Sequence, residues 1–446
     1  MGKKDRAQGD KMSILFSLLG IFLFVLGLLI TVGLHELGHL IPAKKFGVKV
    51  PKYFIGFGST LWSIKRAGTE YGLKVLPLGG FVQLAGMLPP AREGVRKHKS
   101  NGELTLAEQA RQDSAAELEP GEESQAFWRL PAHKKLVVMF GGPCINVLLS
   151  VLLIVGVMCG IGVGTYGTTI SQVPRCISAE ESCADNDRAP ASLAGFQPGD
   201  CIYKWNGTPV ATWKDVQEAI VSGGVRPADV LIEREGKQIT LNVTPIETER
   251  PVVSGGAVVT DPETGQAKTD LKPYVGLSPQ IELQRTSIGT ALAQAGKLAA
   301  GTVQIVAVLP AKLWQIFTTL LSGAPRDSSS VVGIVGVAHM AGTITSAQAE
   351  GYNIAQRAAD FLMLMASLNM SLFIFNMIPL LPLDGGHILG ALIEGVRSTI
   401  ARWRGKADPG AFDTARLLPL SYAVIAFFVL MTVLLVVADI VNPVGG

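Results

Sequence analysis

Four stretches of this chain carry no charged side chain at all: Met12 to Leu34, Leu136 to Gly164, Phe361 to Leu383 and Leu417 to Ala438. A bilayer core of about 30 Å needs about 20 apolar helical residues, and a backbone inside hydrocarbon must satisfy its own hydrogen bonds. Long charge-free runs of this kind therefore form membrane-spanning helices. Composition points the same way. Of 446 residues, 48% are apolar and 17% charged, against the roughly 25% charged of an ordinary soluble protein. Disorder and an all-soluble globule are excluded. A net charge of +3 gives no hint of nucleic acid, and five cysteines are too few for a disulfide scaffold.

Four transmembrane segments are thus expected, at 12–43, 136–164, 361–384 and 417–438. The first is expected to be a lasting helix rather than a cleaved signal, because it exceeds a signal's apolar core and leads into polar motif residues. Leu298 to Pro325 is a fifth candidate, but Pro310 removes a backbone donor and Lys312 would sit near mid-span. Residues 285–345 are therefore expected as interfacial amphipathic helices. Basic residues set the orientation. Lys44, Lys45, Lys49 and Lys52 follow the first span, Arg129, Lys134 and Lys135 precede the second, and Arg397 to Arg416 separate the third and fourth. Both loops are expected in the cytoplasm, although Lys3, Lys4, Arg6 and Lys11 argue the other way. Residues 165–360 then lie outside.

Between the spans, residues 45–87 read as a membrane-associated β-hairpin turning at Ala67-Gly68. Residues 88–130 lack large apolar side chains and are expected as a mobile cytoplasmic loop. Residues 168–250 read as a compact α/β module. Its marks are a Gly199-Asp200 turn into a strand over Cys201 to Trp205, a tight Asn206-Gly207 turn, a helix capped by Thr212 with Asp215, and a hairpin around Glu235-Gly236. That order and spacing resemble the PDZ family, without its Gly-Leu-Gly-Phe-type carboxylate loop. Cys176 and Cys183 flank a short polar loop on the oxidising side and are expected to form a disulfide.

The chemistry sits where the first span ends, at His35-Glu36-Leu37-Gly38-His39. Residues four apart share a helix face, so His35 and His39 can present two imidazoles to one metal. Glu36 is then placed to act as general base on a water whose pKa zinc lowers to about 7. A third protein ligand is needed. His98 and His133 lie in the cytoplasmic loop and His339 outside. His387 and Asp384 both follow the third span, and Asp384 emerges at the depth of His35 because the first and third spans run the same way. If residues 298–325 crossed the bilayer, Asp384 would instead surface about 30 Å away. Asn146, Asn369 and Asn376 are candidates for lining a water path or bridging helices. Pro379 and Pro382 are expected to break the third helix before Asp384.

The H-E-x-x-H of one span, the Leu383-Asp384-Gly385-Gly386 of another and the intervening PDZ-like module resemble the site-2 protease family of intramembrane zinc metalloproteases. Gly56 to Gly58, Pro77 to Met87 and Gly141 to Asn146 extend the match over nearly the whole chain. It is nearest the bacterial single-PDZ type, such as actinobacterial anti-sigma-factor proteases. The resemblance implies a polytopic α-helical membrane protein with four transmembrane helices, a membrane-associated β-hairpin and one extracytoplasmic PDZ domain. It implies Zn2+ held by His35, His39 and Asp384, Glu36 as base and Asn376 holding the substrate strand. It also implies regulated intramembrane proteolysis in the plasma membrane, with the active site toward the cytoplasm. The partners would be the lipid bilayer and a single-pass membrane protein substrate such as an anti-sigma factor, with no nucleic acid. A locally extended substrate could pair with a free edge of the hairpin at 61–76. The rival reading is a membrane scaffold or transporter with a structural metal, but structural zinc usually closes with four protein ligands and only three good ones are evident.

Overall fold

A computed structural model describes residues 3–444 apart from 93, 179–186, 252, 255–256, 259–267, 325, 327–329 and 348–351. The chain divides into two compact units, one of residues 1–157, 287–346 and 360–446, the other of 158–286 and 347–359.

The first unit begins with α1 (Lys3–Lys45), which runs unbroken through His35 and His39. Phe24 and Leu28 are buried on one side, while Ile14, Leu15, Phe22 and Ile30 lie exposed, the burial of a helix whose solvent is partly hydrocarbon. After a turn at Gly47 the chain enters β1 (Lys52–Arg66), reverses at Ala67-Gly68, both at positive φ, and returns as β2 (Thr69–Gln83). This is more than the expected hairpin. Lys52 to Ile55 pair with Glu70 to Leu73 on one side and with Gly80 to Gln83 on the other. The ladder therefore folds back on itself, in the segment order 60–66, 69–74, 52–55, 80–83.

Residues 88–130 differ from the expected mobile loop. They contain α2 (Leu106–Ala115), whose Thr105 cap accepts from the Glu108 N–H at 3.3 Å. Arg111 is buried, donating to Glu108 at 3.2 Å and to both oxygens of Asp413 at 3.0 and 2.8 Å. Ion pairing orders this segment where apolar burial is scarce, so hydropathy alone could not register it. Next, α3 (Ala132–Val155) buries Lys135, which bonds both Glu394 oxygens at 2.8 and 2.7 Å.

The second unit is a six-stranded sheet with short helices. In chain order it holds β3 (Val163–Gln172), α4 (Pro190–Leu193), β4 (Cys201–Trp205), β5 (Thr208–Pro209), α5 (Trp213–Gly223), β6 (Ala228–Arg234) and β7 (Lys237–Val243). A pair, β8 (Ile246–Pro251) and β11 (Thr269–Tyr274), and the two-residue ladder of β9 (Val253–Ser254) with β10 (Ala257–Val258) precede β12 (Ser278–Gln284). The sheet order is β12-β3-β4-β6-β7, with β5 on β4. Asn206 and Gly207 turn at positive φ, as do Glu235 and Gly236, and Thr212 and Asp215 close a full capping box on α5. The sheet reaches beyond 168–250 because β12 pairs antiparallel with β3, a partnership formed across more than a hundred residues. Ile170, Ile202, Trp205, Val216, Val230, Ile232 and Val243 fill its core. Cys176 is disulfide-bonded; Cys183, its expected partner, lies outside the described residues. Cys144, Cys159 and Cys201 are free thiols.

The first unit resumes with α6 (Ile288–Ser322), which passes through Pro310 and ends at Gly323 in the left-handed conformation. The break expected at the proline thus falls at the glycine. Then come α7 (Ile334–Ser346), α8 (Ile354–Asn376), α9 (Asp384–Trp403) and α10 (Leu418–Val441). Among the described residues, five helices are long and apolar enough to cross a membrane, namely the four expected and Ile288–Ser322. Beyond α6, Arg326 bonds Asp439 at 3.1 Å and the Ala324 carbonyl accepts from Asn442 at 2.7 Å. Between α8 and α9, residues 377–383 leave helical geometry, as Pro379 and Pro382 require.

Candidate metal centre

His35 and His39 stand one turn apart on α1, their rings edge-to-face with centroids 4.9 Å apart. Their Nε2 atoms are 3.3 Å from each other. Asp384, the first residue of α9, brings its Oδ2 to 3.3 Å from His35 Nε2 and 3.5 Å from His39 Nε2. One potential ligand atom from each of the three lies within 4.8 Å of the others. Asp384 Oδ2 is buried and without a hydrogen-bond partner, even though two imidazole nitrogens are this close. Two imidazole nitrogens and a carboxylate oxygen therefore converge on one point. Such an arrangement is costly unless a cation sits among them, and two imidazole nitrogens with one carboxylate oxygen suit zinc.

Both imidazoles are braced from behind. His39 Nδ1 donates to the Val138 carbonyl of α3 at 2.8 Å, fixing the tautomer that leaves Nε2 free for a metal. His35 Nδ1 lies 3.1 Å from the Asn146 amide nitrogen, while Asn146 Oδ1 is buried without a partner. Exchanging the amide oxygen and nitrogen turns an acceptor toward a His35 Nδ1–H. This contact needs α1 and α3 almost backbone to backbone. A Cβ at Gly142 would lie 2.3 Å from His39 Nε2, and one at Gly38 would lie 2.4 Å from the Gly141 carbonyl oxygen. Only glycines allow that crossing.

The three residues face a cavity of about 380 Å³ whose walls also include Glu36, Asn146, Asn376 and His387. Residues Gly79 to Val82 of β2 form one side of it. A Cβ at Gly80 would come within 3.2 Å of Glu36 Cγ, so the strand runs close beside that side chain. Asn369 is elsewhere: its amide donates to Thr31 Oγ1 at 3.2 Å and to the Met365 carbonyl at 2.8 Å, tying α8 to α1. Tyr53 donates to the Gly33 carbonyl at 2.7 Å. Burial pushes its hydroxyl up to about 12, so it remains a donor and anchors the sheet to α1 two residues before His35. Neither the Tyr53 brace nor the Val138 carbonyl was visible in the sequence. The glycines at 38, 141 and 142 were its only trace.

Paired imidazoles and a distant aspartate, set at one end of a bundle of apolar helices beside an open cavity, define a membrane metallopeptidase. Residues 23–407 match the model of peptidase family M50. The chain belongs to that family, the site-2 proteases, and is a membrane-embedded zinc metalloprotease. It is similar to zinc metalloprotease Rip1 of Mycobacterium tuberculosis (strain ATCC 25618 / H37Rv), 32% identical over 433 residues that cover 95% of this chain and 98% of the relative. Rip1 of Mycolicibacterium smegmatis is 31% identical over 440 residues, with 95% and 98% covered. Metalloprotease MmpA of Caulobacter vibrioides is 28% identical over 384 residues, with 84% and 85% covered.

Proposed function

We propose that this protease cuts a peptide bond inside the transmembrane segment of a single-pass membrane protein, with an anti-sigma factor as the substrate. His35, His39 and Asp384 hold the zinc, Glu36 is the general base and Asn376 steadies the substrate strand. A zinc ion held there would supply a Lewis acid for the scissile carbonyl and would lower the pKa of an attacking water. Glu36 takes the proton from that water and returns one to the leaving amine. The reading rests on Asp384 Oδ2 meeting two imidazole nitrogens while lacking a hydrogen-bond partner of its own.

A transmembrane helix must unwind before it can be cut, because its carbonyls are hydrogen-bonded internally. An extended substrate then needs a partner strand. The cavity wall at Gly79 to Val82 supplies one, since Gly80 to Gln83 are paired on one side, with Lys52 to Ile55. The tip at 61–76 is the less suitable edge, because Gly80 is the part that runs close beside Glu36. Asn376, on the same cavity, is suited to hold the unwound backbone by its amide.

The topology proposed is four spans, with 288–322 lying along the outer face. Two observations favour it. Lys135 at the start of α3 bonds Glu394, which also accepts from the Phe412 N–H just before α10, so α3 and α10 start at one end of the bundle. The segment leaving α6 is bonded to the far end of α10, and Thr286, which precedes α6, donates to Met158 just past α3. Entry and exit of α6 at that far end suit a helix that does not cross. The 163–284 sheet is assigned as a PDZ domain outside the cell, on the strength of its capped α5 and its turns at Asn206-Gly207 and Glu235-Gly236.

Purified protein incubated with an anti-sigma transmembrane segment tests the function. Cleavage should stop with chelator and return with zinc, and Glu36→Gln should retain zinc while losing at least about 10³-fold in rate, from loss of a positioned base. A Glu36→Gln variant cleaving at the unaltered rate would remove Glu36 as base. Cysteine labelling at position 98 should report the cytoplasm.

A further inference from the structure

A second cavity, of about 790 Å³, opens along the half of α9 remote from Asp384, between that helix and the start of α3. Its walls carry Arg129, His133 and Arg402 together with the carboxylates Glu394 and Asp408. The carboxylates are already committed. Glu394 is bonded by Lys135 at 2.8 and 2.7 Å and by the Phe412 N–H at 2.9 Å. Asp408 accepts from Ser398 Oγ at 2.8 Å and the Gly410 N–H at 2.9 Å. Among the described residues, Arg129 and Arg402 make no direct ion pair: Arg402 only adds, from a distance, to the lowering of the Asp408 pKa by the Gly410 N–H, and the Arg129 guanidinium rests 5.0 Å above the Trp128 ring. With Lys135 on Glu394, the cavity region holds the cations Arg129, Arg402 and Lys135 against the carboxylates Glu394 and Asp408, a net positive charge that favours an anion.

The outer face of the same helix says which anion. Leu389, Leu392, Val396, Ile400 and Trp403 of α9 are all exposed. Their three- and four-residue spacing gathers them into one apolar stripe. At about 100° per residue, Gly395 and Arg402 of the cavity wall fall on the neighbouring face, roughly a third of a turn away. Trp128 in the cavity and Trp403 at the helix end are residue types that settle at the headgroup level of a bilayer. A soluble anion would use the arginines but leave the stripe bare.

We propose that this cavity receives the phosphate of an anionic phospholipid, with the acyl chains laid along Leu392, Val396 and Ile400. Arg129 and Arg402 bond the phosphate oxygens, and the stripe covers the first methylenes of the chains. The site is separate from the metal centre, so its occupancy does not depend on proteolysis.

The test uses the full chain in detergent with added phosphatidylglycerol, phosphatidylcholine or inorganic phosphate, and retained ligand is read by native mass spectrometry. Phosphatidylglycerol should bind at least tenfold more tightly than phosphatidylcholine. The double substitution Arg129→Gln with Arg402→Gln should weaken it by about 25-fold, or about fivefold per charge, while zinc content stays at one per chain. Arg129→Lys with Arg402→Lys should restore most of the binding. Val396→Ser with Ile400→Ser should weaken the lipid and leave inorganic phosphate unaffected. Equal retention of both lipids would overturn the proposal, as would unchanged phosphatidylglycerol binding in the glutamine variant. So would inorganic phosphate binding as tightly as the lipid and indifferently to the stripe, which would make the site one for a soluble anion.

Discussion

The sheet of the second unit and the β1–β2 ladder of the first are built from similar residues and buried in opposite ways. Ile170, Ile202, Trp205, Val230 and Ile232 are all buried, whereas Phe57, Leu61, Trp62, Ile64, Leu73 and Leu76 are all exposed. Polar groups divide along the same line. Buried Asp200 accepts from Arg234 at 2.7 and 2.8 Å and from the Gln197 N–H at 2.8 Å. Among the described residues, Asp384 Oδ2, Asn369 Oδ1 and Arg111 Nε are buried without a partner, and all three belong to the first unit. The sheet buries its apolar side chains and bonds its buried Asp200 internally. The ladder keeps apolar surface exposed, and on the proposed function the first unit leaves polar atoms for a metal and a substrate. Stability belongs to the first kind of region and function to the second.

That contrast can be broken at either end. The largest effect is expected from Asp384→Ala, which removes the carboxylate of the proposed three-ligand site. Zinc per chain, measured by elemental analysis, should drop below about a tenth, while hydrogen exchange in 201–243 stays as it was; full zinc occupancy would mean another residue is the ligand. Ile232→Ala should do the reverse. Loss of a fully buried side chain should cost about 3 kcal/mol, seen as faster exchange throughout β4, β6 and β7, with zinc retained. A fall in zinc content there would show that the two units are not independent. Asn146→Ala should weaken zinc by about 10–100-fold, measured by competition with a chelator, and leave the fold intact. Smallest, Thr212→Ala removes one half of the α5 capping box and should cost about 1 kcal/mol, confined to exchange at the N-terminus of that helix.

Much of the second unit was legible in local sequence. Asn206-Gly207 and Glu235-Gly236 announce turns because few residues accept positive φ, and Thr212 with Asp215 announces a helix start because the two side chains satisfy each other's backbone N–H. What local signals could not carry was β12, which closes the sheet against β3 from more than a hundred residues downstream. The helical unit shows the same limit. Hydropathy found its long helices but missed α2, which Arg111 orders through Asp413 rather than through apolar burial. It also marked Pro310 as a break, where a helix long enough on both sides carries on to Gly323.

In the metal centre, the four-residue spacing of His35 and His39 was decided by sequence alone, since helix geometry turns that spacing into a shared face. The adjacent Glu36 and the proline-broken run before Asp384 were equally local. Only the tertiary structure decided that Asp384 arrives within 3.3 Å of His35, that Val138 and Asn146 stand behind the imidazoles, and that strand 79–82 forms the wall. Those arrangements depend on how closely α1 and α3 approach at Gly38, Gly141 and Gly142 and on where α9 starts. Backbone proximity of that kind is a property of packed helices, and no single stretch of sequence contains it.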